Sequence, residues 1–153
     1  MYDIIIRNGA VVDGTGKEKY LADVAVKDGK IAKIGKMKWT RGKKEIDATG
    51  KVVSPGFIDI HNHSDSYWRL FLDPQLPSLV HQGITTIVGG NCGASIAPLT
   101  SGKIIESIQK WADIRQVNVN WLSMGEFREE MEKRKLGLNF ATLVGHGTLR
   151  RGI

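Results

Sequence analysis

Two histidines one residue apart, His61 and His63, follow the run Val52-Val53-Ser54-Pro55-Gly56-Phe57-Ile58-Asp59-Ile60. On a strand, alternate side chains share a face, and two residues of rise separate the Cα atoms by about 6.6 Å. Two imidazoles at that spacing can converge on one divalent metal ion such as zinc. Asp65 shares their face if the strand persists that far, and otherwise caps a loop. Cys92 sits between Asn91 and Gly93, after the β-branched run Thr85-Thr86-Ile87-Val88-Gly89-Gly90. Three readings of Cys92 stand open: a thiolate metal ligand, a buried small hydrophobe, or a nucleophile with His146 as its base. His146 follows a third strand-like run, Leu138-Asn139-Phe140-Ala141-Thr142-Leu143-Val144. It could contact substrate, orient a ligand, or bond to the backbone as an ordinary buried histidine. His81 closes an expected helix, and charge at a helix C-terminus accounts for it.

The elements that must position these residues change character at Pro55-Gly56. Before it come short strands punctuated by glycine. Asp3–Arg7 and Ala10–Val12 flank an expected turn at Asn8-Gly9. Ala22–Val26 and Lys30–Ile34 flank Asp28-Gly29, two residues that tolerate the positive φ of a tight hairpin. With Ile46–Ala48 and Lys51–Val53 they make a small antiparallel sheet, expected over residues 1–53. Over residues 54–153, strands alternate with helical stretches in the manner of βα units. The expected strands are Phe57–Ile60, Thr85–Gly90 and Leu138–Val144. A helix is expected over Pro77–Gln82, stopped by Gly83, and another with Ile104, Ile108 and Trp111 on one face. A third opens at a capping box, Ser123 to Glu126, turns Phe127 and Met131 inward and ends at Gly137. His61, His63, Cys92 and His146 then stand at the C-terminal ends of strands, where α/β folds keep their chemistry.

The stretch from Ile46 through Pro55-Gly56-Phe57-Ile58-Asp59 to His61-Asn62-His63 resembles the opening of the metal-dependent amidohydrolases. In that superfamily a β-domain strand leads through such a motif to His-x-His on the first barrel strand. Gly83 to Leu99, with Gly90-Asn91-Cys92-Gly93 at its centre, is similar to the N-acyl-D-amino-acid deacylase (D-aminoacylase) branch. There a strand-end cysteine replaces the usual carboxylated lysine. Leu143 to Arg150 is similar to that branch too. The resemblance covers essentially the whole chain, and its first two motifs together are specific.

The resemblance implies an α/β protein: part of a small β-sandwich over 1–53, then the first three or so βα units of a (β/α)8 TIM barrel over 54–153. It implies one or two zinc ions in the complete enzyme, with His61, His63 and a bridging Cys92 as metal ligands. Asp65, Asn91 and His146 would touch substrate or support the ligands. The implied reaction is hydrolysis of an N-acyl-D-amino acid to a carboxylate and a D-amino acid. The family's later histidine ligands, catalytic aspartate and substrate clamps have no counterpart among these residues. No catalytic residue is therefore assigned, and the chain alone is expected to be inactive. A second polypeptide or a missing C-terminal segment is expected to complete the barrel. The alternatives are a non-catalytic metal-binding or interaction remnant, or part of a hydantoinase- or dihydroorotase-like ring opener. Asn91-Cys92-Gly93 argues against the ring opener, whose relatives usually bridge their metals with a later lysine.

The 153 residues, 41% hydrophobic and 25% charged, suffice for a core, whereas a complete barrel needs roughly 250 residues. Much of the net charge of +6 comes from Lys27, Lys30, Lys33, Lys36, Lys38, Arg41, Lys43 and Lys44. Such a run is expected to be a solvated sheet edge, where lysines discourage edge-to-edge pairing. A docking patch for an acidic partner or nucleic acid is the alternative, and basic residues without interleaved aromatics are a poor nucleic-acid footprint. One cysteine excludes an internal disulfide. No apolar run reaches the ~18 residues of a membrane span, and the N-terminus lacks a signal-peptide pattern. The expectation is a cytoplasmic protein acting on a small molecule, with neither nucleic acid nor membrane as partner.

Overall fold

Strand β1 (Tyr2–Val11) is the centre of the first unit, Met1–Pro55, in the computed structural model, which describes residues 1–100 and 117–152. Its apolar alternation supplies both faces of a sheet. Strand β2 (Tyr20–Lys27) pairs antiparallel with β1, and β3 (Lys30–Gly35) antiparallel with β2. Their hairpin turns at Asp28-Gly29, with φ of 51° and 72°, as the sequence demands. Strands β4 (Gly42–Asp47) and β5 (Val52–Val53) pair parallel with β1. The sheet, of order β3-β2-β1-β4 with β5 also on β1, is thus mixed rather than antiparallel throughout.

The parallel pairing follows from the crossing Lys36–Arg41, which carries the chain to the far edge of β1. Met37 is buried there with Ile5 and Ala25. Arg7 fastens the crossing: Nη1 donates to the Met37 carbonyl at 2.7 Å, and Nη2 donates to the Thr40 carbonyl. Val11, Ala22 and Val24, with Ile6 and Val53, form a second cluster. Asn8-Gly9 is not a turn. Asn8 has φ of 59° and the register shifts between Ile6 and Gly9, which makes a bulge inside one continuous strand. Asp23 stabilises the bulge, its Oδ1 accepting the Asn8 N–H at 2.9 Å. All eight basic residues of the Lys27–Lys44 run are exposed, and the run does contain one aromatic, Trp39, itself exposed.

The second unit, Gly56–Ile153, is built on a parallel sheet of β6 (Phe57–Asp59), β7 (Ile84–Gly89) and β8 (Asn139–Thr142), in that order. Around it lie α1 (Arg69–Leu72), α2 (Pro77–Val80), α3 (Met124–Lys133) and α4 (His146–Arg151). The core gathers Trp68, Leu70, Ile87, Ile96, Trp121 and Phe127. Trp121 stacks on Phe71 at 5.1 Å, and its Nε1 donates to the Ile96 carbonyl at 2.8 Å. The capping box forms as expected: Ser123 Oγ accepts the Glu126 N–H, and Glu126 Oε2 accepts the Ser123 N–H. Phe127 and Met131 face inward from the helix it opens. That helix ends at Lys133 and not at Gly137, because Arg134 already has extended backbone. Gly137 serves a close approach instead: a Cβ there would lie 2.1 Å from the Gln75 carbonyl oxygen. The expected face of Ile104, Ile108 and Trp111 lies outside the described residues.

Candidate metal centre

Strand β6 is one residue shorter than its sequence suggests, and Asp59 supplies the reason. Its Oδ1 accepts the His61 N–H at 3.1 Å and its Oδ2 accepts from Asn62 Nδ2 at 2.7 Å, which turns the chain out of the extended state. The Asn62 amide, then the His61 N–H, hold the Asp59 carboxyl below the usual carboxylate range against the opposing effect of burial. His61 and His63 therefore lie beyond the strand, and strand alternation is not what brings them together. They meet across the turn, ring centroids 5.2 Å apart and inclined at 65°.

Cys92 joins them from the end of β7. Its Sγ lies 3.3 Å from His61 Nε2 and 3.6 Å from His63 Nε2. All three donor atoms fall within 4.8 Å of one another, the one such group of three among the described residues. A tetrahedral zinc ion with bonds of ~2.0–2.1 Å to nitrogen and ~2.3 Å to sulfur holds such donors about 3.6 Å apart. The two nitrogen–sulfur separations and the donor types, two imidazoles and a thiol, fit that ion. Cys92 is exposed, so it is not the buried small hydrophobe that a lone cysteine often is.

The Cys92 backbone is itself unusual. Its φ is 54°, between Gly90 at 73° and Gly93 at 75°. A left-handed non-glycine residue costs on the order of 1–2 kcal/mol and persists only where its surroundings over-determine it. Those surroundings are visible on both sides. On the histidine side, Asp65 is fully buried and its Oδ2 accepts the Gly90 N–H at 2.7 Å. Asn91 Nδ2 donates to the Val88 carbonyl at 2.7 Å and to the Asn62 carbonyl at 3.3 Å. On the other side, Thr148 Oγ1 accepts the Ser95 N–H at 2.8 Å and donates to the Ser95 carbonyl at 3.0 Å. Ser95 Oγ accepts the Gly145 N–H at 3.0 Å. Gly90 permits the packing, because a Cβ there would lie 2.1 Å from the Leu143 carbonyl oxygen.

The structure thus brings His61, His63 and Cys92 together and sets Asp65 and Asn91 behind them. The strand does not persist to Asp65, which faces the Cys92 loop. His146 begins α4, is exposed, and lies outside the group of donors, so the arrangement gives Cys92 no His146 base. His81, exposed after α2, lies outside it as well. Asp59, Ser95 and Thr148 are supporting residues that the sequence reading passed over. Asp59 carried a local signal, an Asx side chain two residues before the backbone N–H it accepts. The Ser95–Thr148 pair carried none, since its partners are 53 residues apart.

The sequence profile described as the Amidohydrolase family matches residues 44–151. The N-acyl-D-aspartate deacylase of Alcaligenes xylosoxydans xylosoxydans is 36% identical over 97% of this chain and 29% of its own length. Among solved structures, the N-acyl-D-glutamate deacylase of Bordetella bronchiseptica was determined with zinc and a phosphonate mimic of the tetrahedral intermediate. It matches with a TM-score of 0.86 at 35% identity, over 97% of this chain and 30% of that one. A D-aminoacylase studied for its binuclear metal centre matches with a TM-score of 0.87 at 35% identity, over 100% of this chain and 31% of that one. The chain spans less than a third of the length of these relatives.

Proposed function

The chain belongs to the amidohydrolase family, and from that premise we propose that it forms the N-terminal part of a zinc-dependent deacylase of N-acyl-D-amino acids, with His61, His63 and Cys92 as metal ligands. The observation that carries this reading is the convergence of three donor atoms within 4.8 Å. Bound there, zinc supplies Lewis acidity towards an amide carbonyl and acidifies water for attack on it. The chain's own residues prepare that site. Asp59 bends the histidine segment so that both Nε2 atoms face Cys92. Asn91 ties this segment to the end of β7. Three parallel strands, β6, β7 and β8, in a chain that spans less than a third of these relatives support a substrate site completed by further βα units.

The substrate class rests on relatives named for it: deacylases of N-acyl-D-aspartate and N-acyl-D-glutamate, 36% and 35% identical to this chain. The test is a native mass spectrum of the protein from its source, paired with an assay on N-acetyl-D-amino acids. The expected species carries zinc, includes enough polypeptide to close the barrel and releases a D-amino acid. Residues 1–153 alone are expected to bind metal without turnover. A metal-free species that hydrolyses these substrates would overturn the proposal. A metal-free species without hydrolysis would favour the non-catalytic remnant.

A further inference from the structure

We infer that Asp65 is a positioning residue for Cys92, its buried carboxylate pinning the loop that carries the thiol to the segment that carries the two histidines. The inference rests on the metal centre proposed above. Asp65 lies two residues after His63, and the N–H it holds, that of Gly90, lies two residues before Cys92. Both carboxylate oxygens are in use. Oδ2 accepts the Gly90 N–H at 2.7 Å, while Oδ1 accepts the Ser66 N–H at 2.7 Å and the Ser66 hydroxyl at 3.4 Å.

Burying a carboxylate is costly, and Asp65 is 0% exposed. Capping the Ser66 turn alone would need one short acceptor, which serine or asparagine supplies at the surface without that cost. The carboxylate has a second task, reaching across to β7. The end of β7 is shaped for it: a Cβ on Gly89 would lie 2.8 Å from both Cγ and Oδ2 of Asp65. Asparagine cannot stand in. Its single acceptor oxygen can serve Gly90 or Ser66, and its NH2 group then confronts the other N–H. The Gly90 N–H is fixed at the start of the turn whose left-handed residues include Cys92, so a slack bond there swings the thiol.

The test is a Co2+ titration of the full chain, followed by the thiolate-to-cobalt absorption band, with metal-free thermal melting measured separately. Wild type, Asp65→Asn, Cys92→Ala and the double variant are compared. Asp65→Asn is expected to weaken Co2+ binding about 10- to 100-fold and to diminish the thiolate band. In the Cys92→Ala background it is expected to change affinity less than about twofold, because Asp65 acts through the thiol. Gly89→Ala, which crowds the same carboxylate, is expected to reproduce the loss and decides the matter if Asp65→Asn does not fold. Equal losses with and without Cys92, or a lower melting temperature with an unchanged band, would overturn the inference. A wild-type chain without any thiolate band would instead remove the ligand assignment on which it rests.

Discussion

His61 Nε2 lies 3.3 Å from Cys92 Sγ, although the two residues are 31 apart in the chain. The thiol is exposed and is the single cysteine among residues 1–153, so in that chain its alkylation can be read by mass without ambiguity. Metal ligation occupies the sulfur lone pair that attacks an alkylating agent. Zinc is therefore expected to slow iodoacetamide modification of Cys92 by about 10-fold or more. Replacing both His61 and His63 by alanine is expected to abolish that protection. Equal rates with and without zinc in the wild-type chain would exclude Cys92 as a ligand.

Thr148 holds the far side of the same loop. Its hydroxyl makes two bonds to the Ser95 backbone, one as acceptor and one as donor, and the residue is 3% exposed. Thr148→Val keeps the shape and removes both, which leaves a buried N–H and a buried carbonyl without their partner. The expected loss is about 1–3 kcal/mol in urea unfolding, read as a lower midpoint with an unchanged m value. An unchanged midpoint would show that the pair contributes nothing net.

What the sequence made legible is what local chemistry decides. The Asp28-Gly29 hairpin needs two residues that accept positive φ, and the capping box needs Ser123 and Glu126 at fixed spacing. Both are readable without knowing the fold. The bulge at Asn8 depends on Asp23, 15 residues away, and the parallel pairing of β4 follows a crossing that Arg7 fastens. Those depend on partners that no local window contains. At the candidate site the residue types and motifs singled out His61, His63 and Cys92, while the route to their convergence did not follow from strand periodicity. The Asp59 side chain breaks that periodicity and substitutes a turn. Gly137 shows the same limit: a glycine after a helix reads as a stop signal, but here it clears space for Gln75.

Helix α3 offers a test of the local part of this reading. Ser123 Oγ accepts the Glu126 N–H at 3.2 Å, and the Glu126 carboxylate accepts the N–H groups of Ser123 and Leu122 at 2.8 Å each. Ser123→Ala is expected to cost about 1 kcal/mol, within a range of ~0.5–2, while Ser123→Asp should retain most of the stability. Thermal melting of the three proteins checks the order. Alanine performing as well as aspartate would mean that the cap is not limiting for this unit.

In the first unit, the carboxylates around Arg7 are expected to contribute to acid sensitivity. Burial alone would raise the Asp23 carboxyl, but the N–H groups of Asn8 and Met37 and the Arg7 guanidinium together outweigh it and hold it below the usual carboxylate range. Arg7 likewise holds Glu45 low, with help from the Gly42 N–H. A carboxylate with a depressed folded-state pKa adds stability that is fully present above its unfolded value of about 4. That contribution is lost as the pH falls through the lower folded value. Unfolding of the first unit should therefore become easier as the pH drops below about 4, because the unfolded chain takes up protons on these carboxylates while the folded chain still holds them ionised. Asp23→Asn is expected to be less stable at neutral pH, since one acceptor must serve where two oxygens did. It should also show a shallower decline in acid. Urea midpoints followed by a probe in this unit, the NMR amide signals of β1, measure both effects, and parallel acid slopes in the two proteins would exclude Asp23 as their source.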